Sequence, residues 1–396
     1  MAENLEKKAP NVRFKGFTDV WEQRKLGEVL EEKNIRLGNG DLLSVTLGKG
    51  VVKASELDRK DNSSSDKSKY KMVEKKDIVY NTMRMWQGAL GISKYSGIVS
   101  PAYTVLSSKN KFDPHFISIL FKQSKMIYLF GAYSQGLTSD TWTLKYNSLS
   151  KIVAKFPSFD EQVKIYSIFD RLNTLITLYQ RKIGLLQQLK KAMLQRLFPD
   201  TDTYPKLRFG GFSGPWEQHK LGDVFYTVSD KGHSELPVLM ATQQQGMIYR
   251  TDSSINIIHD KKAESNYKRV IPDDFVIHLR SFQGGFAYSN IEGITSPAYT
   301  ILRIKDKERE YPKFWKHIFM SESFINSLRK VTYGIRDGRT ISSSESMKLK
   351  YLVPSIVEQK MISKFIDRLD TLIALQQHKL DNMNKLKKFM LQQMFI

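Results

Sequence analysis

The chain contains no cysteine. That excludes disulfides, thiolate metal sites and cysteine nucleophiles, and it fits a cytosolic protein. No stretch approaches ~20 uninterrupted apolar residues, so no membrane span is expected. The opening, MAENLEKKAPNVRF, has no apolar core of a secretory signal and reads as a disordered lead-in over residues 1–10. Catalytic signatures are missing as well. There is no Asn/Asp-Pro-Pro-Tyr/Phe motif, which an amino-methyltransferase needs to hold a flipped base, and no Gly-x-Ser-x-Gly. Gly48-Lys49-Gly50 lacks the upstream glycine and the hydroxyl of a phosphate-binding loop. The 7 histidines are scattered without metal-ligand spacing. Carboxylate–lysine pairs such as Glu31-Glu32-Lys33 read as a solvated face rather than a nuclease fragment. The expectation is a chain without catalytic residues, metal or cofactor of its own.

Negative charge is in short supply. Lys and Arg total 62 against 41 Asp and Glu, a net charge of +21. Such an excess points to a polyanionic partner. DNA, RNA and anionic lipid all qualify, and lipid fits least, because the basic residues are spread along the chain. With 396 residues and 41% apolar content, the chain is long enough for two or more domains with cores of their own.

One helical stretch occurs twice. FPSFDEQVKIYSIFDRLNTLITLYQRKIGLLQQLKKAMLQRLF covers 156–198, and VPSIVEQKMISKFIDRLDTLIALQQHKLDNMNKLKKFMLQQMF covers 353–395. Pro157 and Pro354, Glu161-Gln162 and Glu358-Gln359, and Lys190-Lys191 and Lys387-Lys388 keep one offset, since 354 − 157 = 197 and 387 − 190 = 197. In the first copy Ile165, Ile168, Leu172, Leu175, Tyr179, Ile183, Leu186, Leu189, Met193 and Leu197 recur at steps of three and four. The second has Ile362, Phe365, Leu369, Leu372, Leu380, Met383, Leu386, Met390 and Met394, with a polar gap near Gln376. A narrow apolar stripe of this period predicts a coiled-coil seam. About 40 residues at ~1.5 Å each give a rod of about 60 Å.

The remaining sequence repeats too. Val12–Phe17 with Trp21, Leu26 and Gly27 matches Leu207–Phe212 with Trp216, Leu221 and Gly222. These aromatics are expected to pack inside. Short β-like runs at Leu42–Leu47, Asp77–Asn81 and Ser100–Leu106 correspond to Leu236–Ala241, Asp274–Leu279 and Ser296–Leu302. Asp58–Lys71 reads as a polar surface loop. Ser100-Pro101-Ala102-Tyr103 repeats as Ser296-Pro297-Ala298-Tyr299. One short helix is expected over 113–130 and another over 312–329, opened by Pro114 and Pro312.

The order is therefore domain, long helix, domain, long helix: 1–155, 156–200, 201–352 and 353–396. If the second helix pairs with the first, the two run antiparallel, a globular domain sits at each end and the chain's ends meet. The predicted fold class is α+β: two mixed α/β domains joined by two long helices in an antiparallel coiled coil, with pseudo-two-fold symmetry. Such an object fits duplex DNA, whose half-sites lie about 34 Å apart for one helical turn. Two readers of different sequence imply a split, non-palindromic target, and the rod acts as a ruler.

Base reading needs paired donors and acceptors, while phosphate positioning needs cations, hydroxyls and backbone N–H groups. Two glycine-rich turns per half offer these. One carries Arg84, Trp86 and Gln87, with Arg280 and Gln283 as its partners. The shared Arg-x-aromatic-Gln-Gly pattern suggests phosphate or groove contact in both halves, or a structural turn with its aromatic buried. The other, Gln135–Trp142, carries Thr138 and Ser139 where its partner Gly334–Thr340 carries Arg336 and Arg339. Different residues on an equivalent frame are what different half-sites require.

At the Trp-x-x-x-x-Leu-Gly openings, the Ser-Pro-Ala-Tyr segments and the Pro-Ser…Glu-Gln helix starts, the chain resembles the specificity subunit of type I restriction–modification systems. The resemblance covers nearly the whole sequence. It implies two target-recognition domains separated by two helical spacers, reading double-stranded DNA. It also implies two modification (methyltransferase) subunits and two restriction subunits as partners. S-adenosylmethionine, ATP and Mg²⁺ would belong to those partners, with adenine N6 methylation as the modification. The alternative is a non-enzymatic coiled-coil scaffold whose basic charge is incidental.

Overall fold

The computed structural model describes residues 9–58, 63–199, 203–242, 245–253, 261–278, 281–333 and 340–396. Most of the expected lead-in and part of the Asp58–Lys71 loop lie outside them. The chain divides into two compact units. Unit 1 holds Met1–Gln180 together with His378–Ile396, and unit 2 holds Arg181–Gln377.

Unit 1 is built on a four-stranded antiparallel sheet in the order β2 (Leu30–Glu32), β9 (Tyr103–Ser108), β6 (Ile78–Asn81), β7 (Leu90–Ile92). Around it lie three antiparallel pairs: β1 (Glu22–Lys25) with β10 (Val153–Phe156), β3 (Leu43–Thr46) with β4 (Gly50–Lys53), and β5 (Lys71–Val73) with β8 (Gly97–Val99). The alternation of a strand serves two cores. Ile78 and Tyr80 point into an aromatic core shared with helices, while Val79 joins a valine-rich core with Leu43, Val51, Val73, Val99 and Val105.

Unit 2 repeats this plan. Its main sheet runs β12 (Phe225–Val228), β19 (Thr300–Ile304), β16 (Phe275–Ile277), β17 (Ala287–Tyr288). The pairs are β11 (Glu217–Lys220) with β22 (Lys350–Val353), β13 (Leu239–Thr242) with β14 (Gly246–Tyr249), β15 (Lys268–Val270) with β18 (Gly293–Thr295), and β20 (Thr332–Tyr333) with β21 (Thr340–Ile341). Phe275 and Ile277 face the helix side, and Val276 faces the hairpin side.

Where one short helix per half was expected, each half has two: Pro114–Leu120 and Ser124–Ala132, then Pro312–Phe319 and Glu322–Leu328. The prolines do sit in the first turn. The break follows from extended backbone at Gln123 and Ser321, each starting a new helix; the Ser321 hydroxyl accepts the Phe324 N–H. Ser-Pro-Ala-Tyr is a turn, so the strand starts only at its end. Tyr103 N–H donates to Ser100 O, and Tyr299 N–H to Ser296 O, with proline at the second turn position.

The two long helices are Phe159–Leu197 and Ile356–Gln393. In unit 1, Ile165, Phe169 and Leu172 near the start of the first share a core with Met390, Met394 and Phe395 at the end of the second. In unit 2, Ile362 and Ile366 share a core with Leu197, flanked by Met193 and Leu194. Start meets end in each unit, so the helices run antiparallel there. The chain's two ends meet as expected, with Val12 N–H donating to Gln393 O. The predicted seam is thinner than its periodicity implied. Leu175, Leu189, Leu372 and Leu386 are exposed, whereas Phe169 and Ile366, outside the predicted seam, are fully buried. The polar gap falls on Gln376, which is buried.

The Glu-Gln landmarks hold each globular part to its helix. Arg13 donates through Nε and Nη2 to the two carboxylate oxygens of Glu161, at 2.9 and 2.6 Å. Arg208 makes the same fork to Glu358, at 2.9 and 2.8 Å. Both carboxylates are 1% exposed. Gln162 Oε1 accepts the Asp113 N–H and its Nε2 donates to Pro157 O; Gln359 does the same with Tyr311 N–H and Pro354 O. Trp21 and Trp216 are buried in the helix-side cores, as expected.

Candidate nucleic-acid interface

One residue joins the turns of unit 1 that the sequence singled out. Thr82 follows β6, and both its N–H and its hydroxyl donate to Ala102 O in the Ser-Pro-Ala-Tyr turn. Its carbonyl accepts the Leu144 N–H, which anchors the loop carrying Thr138 and Ser139. Thr82 also leads directly into the Arg84 turn. Three segments distant in sequence are thereby fixed along one rim.

The Arg84 turn is part structural and part exposed. Met85 is fully buried beneath it, and Gly88 closes it in the left-handed region at φ 84°. A side chain at Gly88 would meet Ile127 as well as that strained backbone. Trp86 packs edge-on against Trp142, with ring centroids 5.5 Å apart, and its indole N–H donates to Met83 O. Its ring is a wall of the loop rather than a free platform for a base. Arg84 and Gln87 point out and are exposed.

The second loop is a small hairpin. Gln135 and Thr143 exchange both backbone hydrogen bonds. Thr141 Oγ1 donates to Thr138 O, which ties the tip, and Gly136 at φ 145° lies so close to Thr141 O that no Cβ fits. Thr138 and Ser139 are exposed at this tip, and Leu137 beside them is fully exposed.

In unit 2 the equivalent turn is the helical turn Ser281–Gly284. Ser281 is buried like Met85, and its hydroxyl accepts the His278 N–H. Gln283 is exposed. Arg280, Arg336 and Arg339 lie outside the described residues. The pairing of β20 with β21 supplies the frame that the Gln135–Thr143 bridge supplies in unit 1.

A buried carboxylate holds the turn before β6 and before β16, at the strand ends opposite the rims. Asp77 accepts the Glu74 N–H and lies 3.1 Å from Lys33 Nζ. Burial pushes its pKa up, against the pull of these partners. Asp274 accepts the Ile271 N–H and receives a two-pronged bond from Arg303 at 2.8 Å on each oxygen. Asp274 raises the Arg303 pKa further above its usual value.

A feature absent from the predicted set adjoins this rim. A polar cleft of about 730 Å³ is lined by Ser44, Lys53, Asn81, Ser100 and Tyr103, among others. Ser44 Oγ lies 3.3 Å from Tyr103 Oη, and Asp41 accepts from Lys53 at 2.7 Å. The signal in the sequence was the Ser-Pro-Ala-Tyr repeat, which fixes Tyr103 and its counterpart Tyr299.

The arrangement is one of exposed cations, amides and hydroxyls on a rigid sheet edge. Among the described residues, no helix is long and apolar enough to cross a membrane. His317, Asp367 and Asp370 are the one group among them spaced like metal ligands. Lys313 and Lys316 already approach Asp367, and Lys190 holds Asp370, so ammonium groups neutralise these carboxylates.

The chain therefore holds two repeated sheet domains, each finished by the end of a long helix. Residues 18–189 match the type I restriction modification DNA specificity domain. The chain is 20% identical to the putative type I restriction enzyme MjaX specificity subunit of Methanocaldococcus jannaschii, over 93% of this chain and 91% of that protein. It is 23% identical to the MjaVIII specificity subunit of the same organism, over 81% of this chain and 80% of the relative. Among solved structures, the type I restriction-modification system S subunit from M. genitalium matches with a TM-score of 0.57 and 13% identity, covering 98% of this chain and 99% of that one. The chain is thus similar in sequence to type I specificity subunits, and it shares the fold of the M. genitalium S subunit.

Proposed function

We propose that the chain is the DNA-sequence-recognition subunit of a type I restriction–modification complex, each globular domain reading one half of a split, asymmetric site. The observation that carries this reading is the duplicated rim. One frame, a sheet strand flanked by a Ser-Pro-Ala-Tyr turn, is present twice, and the loops beside it bear different polar residues in the two copies. The net charge of +21 supports a phosphate-rich partner. Arg84, Gln87 and Gln283 serve the phosphates and groove, while Thr138 and Ser139 in one half, and Arg336 and Arg339 in the other, are assigned to reading the half-sites. Trp86 supports the loop from within. Arg280 completes the second Arg-x-aromatic-Gln-Gly pattern of the sequence.

The helices dock the partners and set the gap between half-sites. Leu175, Leu178 and Leu189 are exposed on the first helix, and Leu372, Leu375 and Leu386 occupy the equivalent exposed positions on the second. Two like apolar patches suit two copies of one modification subunit, with restriction subunits joining that assembly. Catalysis, S-adenosylmethionine, ATP and Mg²⁺ are assigned to those cytoplasmic partners, and this subunit is not an enzyme by itself.

The test is methyladenine mapping in a methylation-free host expressing this chain with its modification subunit. A split motif with methyladenine in both halves is expected. An assembled complex that leaves no motif favours the scaffold reading instead. Steep loss of DNA affinity with rising salt is the second signature, because each phosphate contact releases counterions.

A further inference from the structure

The strand pairing lets the two recognition domains be compared position by position. In β3–β4, Leu43 pairs with Lys53 and Ser44 with Val52; in β13–β14, Leu239 pairs with Tyr249 and Met240 with Ile248. Tyr103 therefore corresponds to Tyr299, Ser44 to Met240, Ala54 to Arg250 and Asn81 to His278. The tyrosine at the centre is kept, and the three positions around it change chemistry.

In unit 1 the surroundings are small and polar. Asn81 lines the cleft, and its Oδ1 accepts the Met83 N–H at 3.0 Å, which fixes the plane of the amide. In unit 2 the His278 ring stands edge-on to Tyr299 at 6.1 Å. Burial raises the Tyr299 pKa, and the nearby positive charge of Arg250 opposes that rise. Arg250 Nε and Nη1 are shielded from solvent and have no acceptor among the described residues. A shielded guanidinium without acceptors is costly unless a ligand brings them. Turning outward to meet one breaks no hydrogen bond of Nε or Nη1.

We propose that the side chains around this tyrosine read base edges, with Asn81 reading an adenine in the half-site of the first domain and Arg250 a guanine in that of the second. The chemistry follows from shape. A carboxamide matches adenine N6 and N7, and a guanidinium fork matches guanine O6 and N7. With histidine in place of Asn81, the second domain has lost the adenine reader and gained the guanine reader. The Ala54 position in the first domain offers no competing fork. The proposal rests on the DNA-reading role proposed above and goes further by assigning bases to residues.

The experiment maps methyladenine for complexes containing the wild-type chain, N81A, R250A and R250K. N81A is expected to relax one adenine position in the first half-site only. R250A is expected to relax one guanine position in the second half-site only, each with roughly a 10- to 100-fold loss of discrimination. R250K keeps the charge and loses the fork, so it should relax the same position as R250A. Thermal melting separates misfolding from misreading: if R250A or N81A fails to fold, R250K and N81S decide. Every position remaining as stringent as in wild type overturns the proposal. So does a uniform fall in methylation at an unchanged motif, which marks phosphate contact or support alone. A wild-type complex without any split motif would instead sink the recognition role on which the proposal rests.

Discussion

The two units keep one frame and differ in how they balance its charges. Both lock the lead segment to a long helix with the same arginine–glutamate fork, Arg13–Glu161 and Arg208–Glu358. Both place a buried aspartate where it accepts a turn N–H. Yet Asp77 is matched by Lys33, just after β2, whereas Asp274 is matched by Arg303, within β19. The acid is fixed by the backbone it must hold, and the cation needs only to reach it. A second difference lies against the helices. Unit 2 buries His317 with Nε2 3.2 Å from Asp367, at a position that Ile119 occupies in unit 1. The backbone geometry of the repeat is held more tightly than the electrostatics that neutralise it.

The strongest way to break the symmetry is to end the chain after Gln377. Unit 1 then loses Met390, Met394 and Phe395 from its core, at about 1.5–3 kcal/mol for each buried side chain. Hydrogen exchange should rise in the helix Pro114–Leu120, which packs on this core, while Pro312–Phe319 in unit 2 stays protected. Equal loss of protection in both helices would contradict the division of the cores.

Next come the forks. Arg13→Ala and Arg208→Ala each leave a buried carboxylate unpaired, at a cost of about 3–5 kcal/mol. The geometry is alike, so the two variants should shift the denaturation midpoint of their own units by similar amounts. A large inequality would mean that the clamp matters in one half only.

The smallest effect is a pH dependence confined to unit 2. Burial pushes the His317 pKa below its usual 6.5, so the folded state binds fewer protons than the unfolded chain. Stability from this group is present above the unfolded value and is lost as pH falls through and below about 6.5. Asp367 acts in the same direction at lower pH: burial raises its pKa, but His317 and the two lysines outweigh this and hold it down. His317→Ile, which copies unit 1, should flatten the melting temperature of unit 2 between pH 7 and pH 5. An unchanged slope would show that another group titrates there.

The long helices, the duplicated order and the buried Trp21 and Trp216 were legible because each depends on local period or on repetition. The split of each short helix was not, since it turns on backbone conformation at Gln123 and Ser321 rather than on apolar spacing. The seam was overread for a related reason. Periodicity marks an apolar stripe such as Leu175 and Leu372, but it does not say whether a neighbour covers it. Arg84, Gln87, Thr138 and Ser139 stood out in the sequence because they sit on glycine turns. Asn81, Ser44 and Arg250 did not, because strand register brings the first two to Tyr103 and the third to Tyr299 from segments far apart in sequence.

The fork of Arg13 and the burial of Phe395 have a consequence in time. Ribosomes add roughly 5–20 residues per second, so residues 378–396 emerge some ~10–40 s after Gln180. Over that interval the first domain has its sheet and its helix start but lacks the side chains that close its aromatic core. The second domain never waits in this way, because Met193, Leu194 and Leu197 are made before it. The half synthesised first is therefore the last to finish folding.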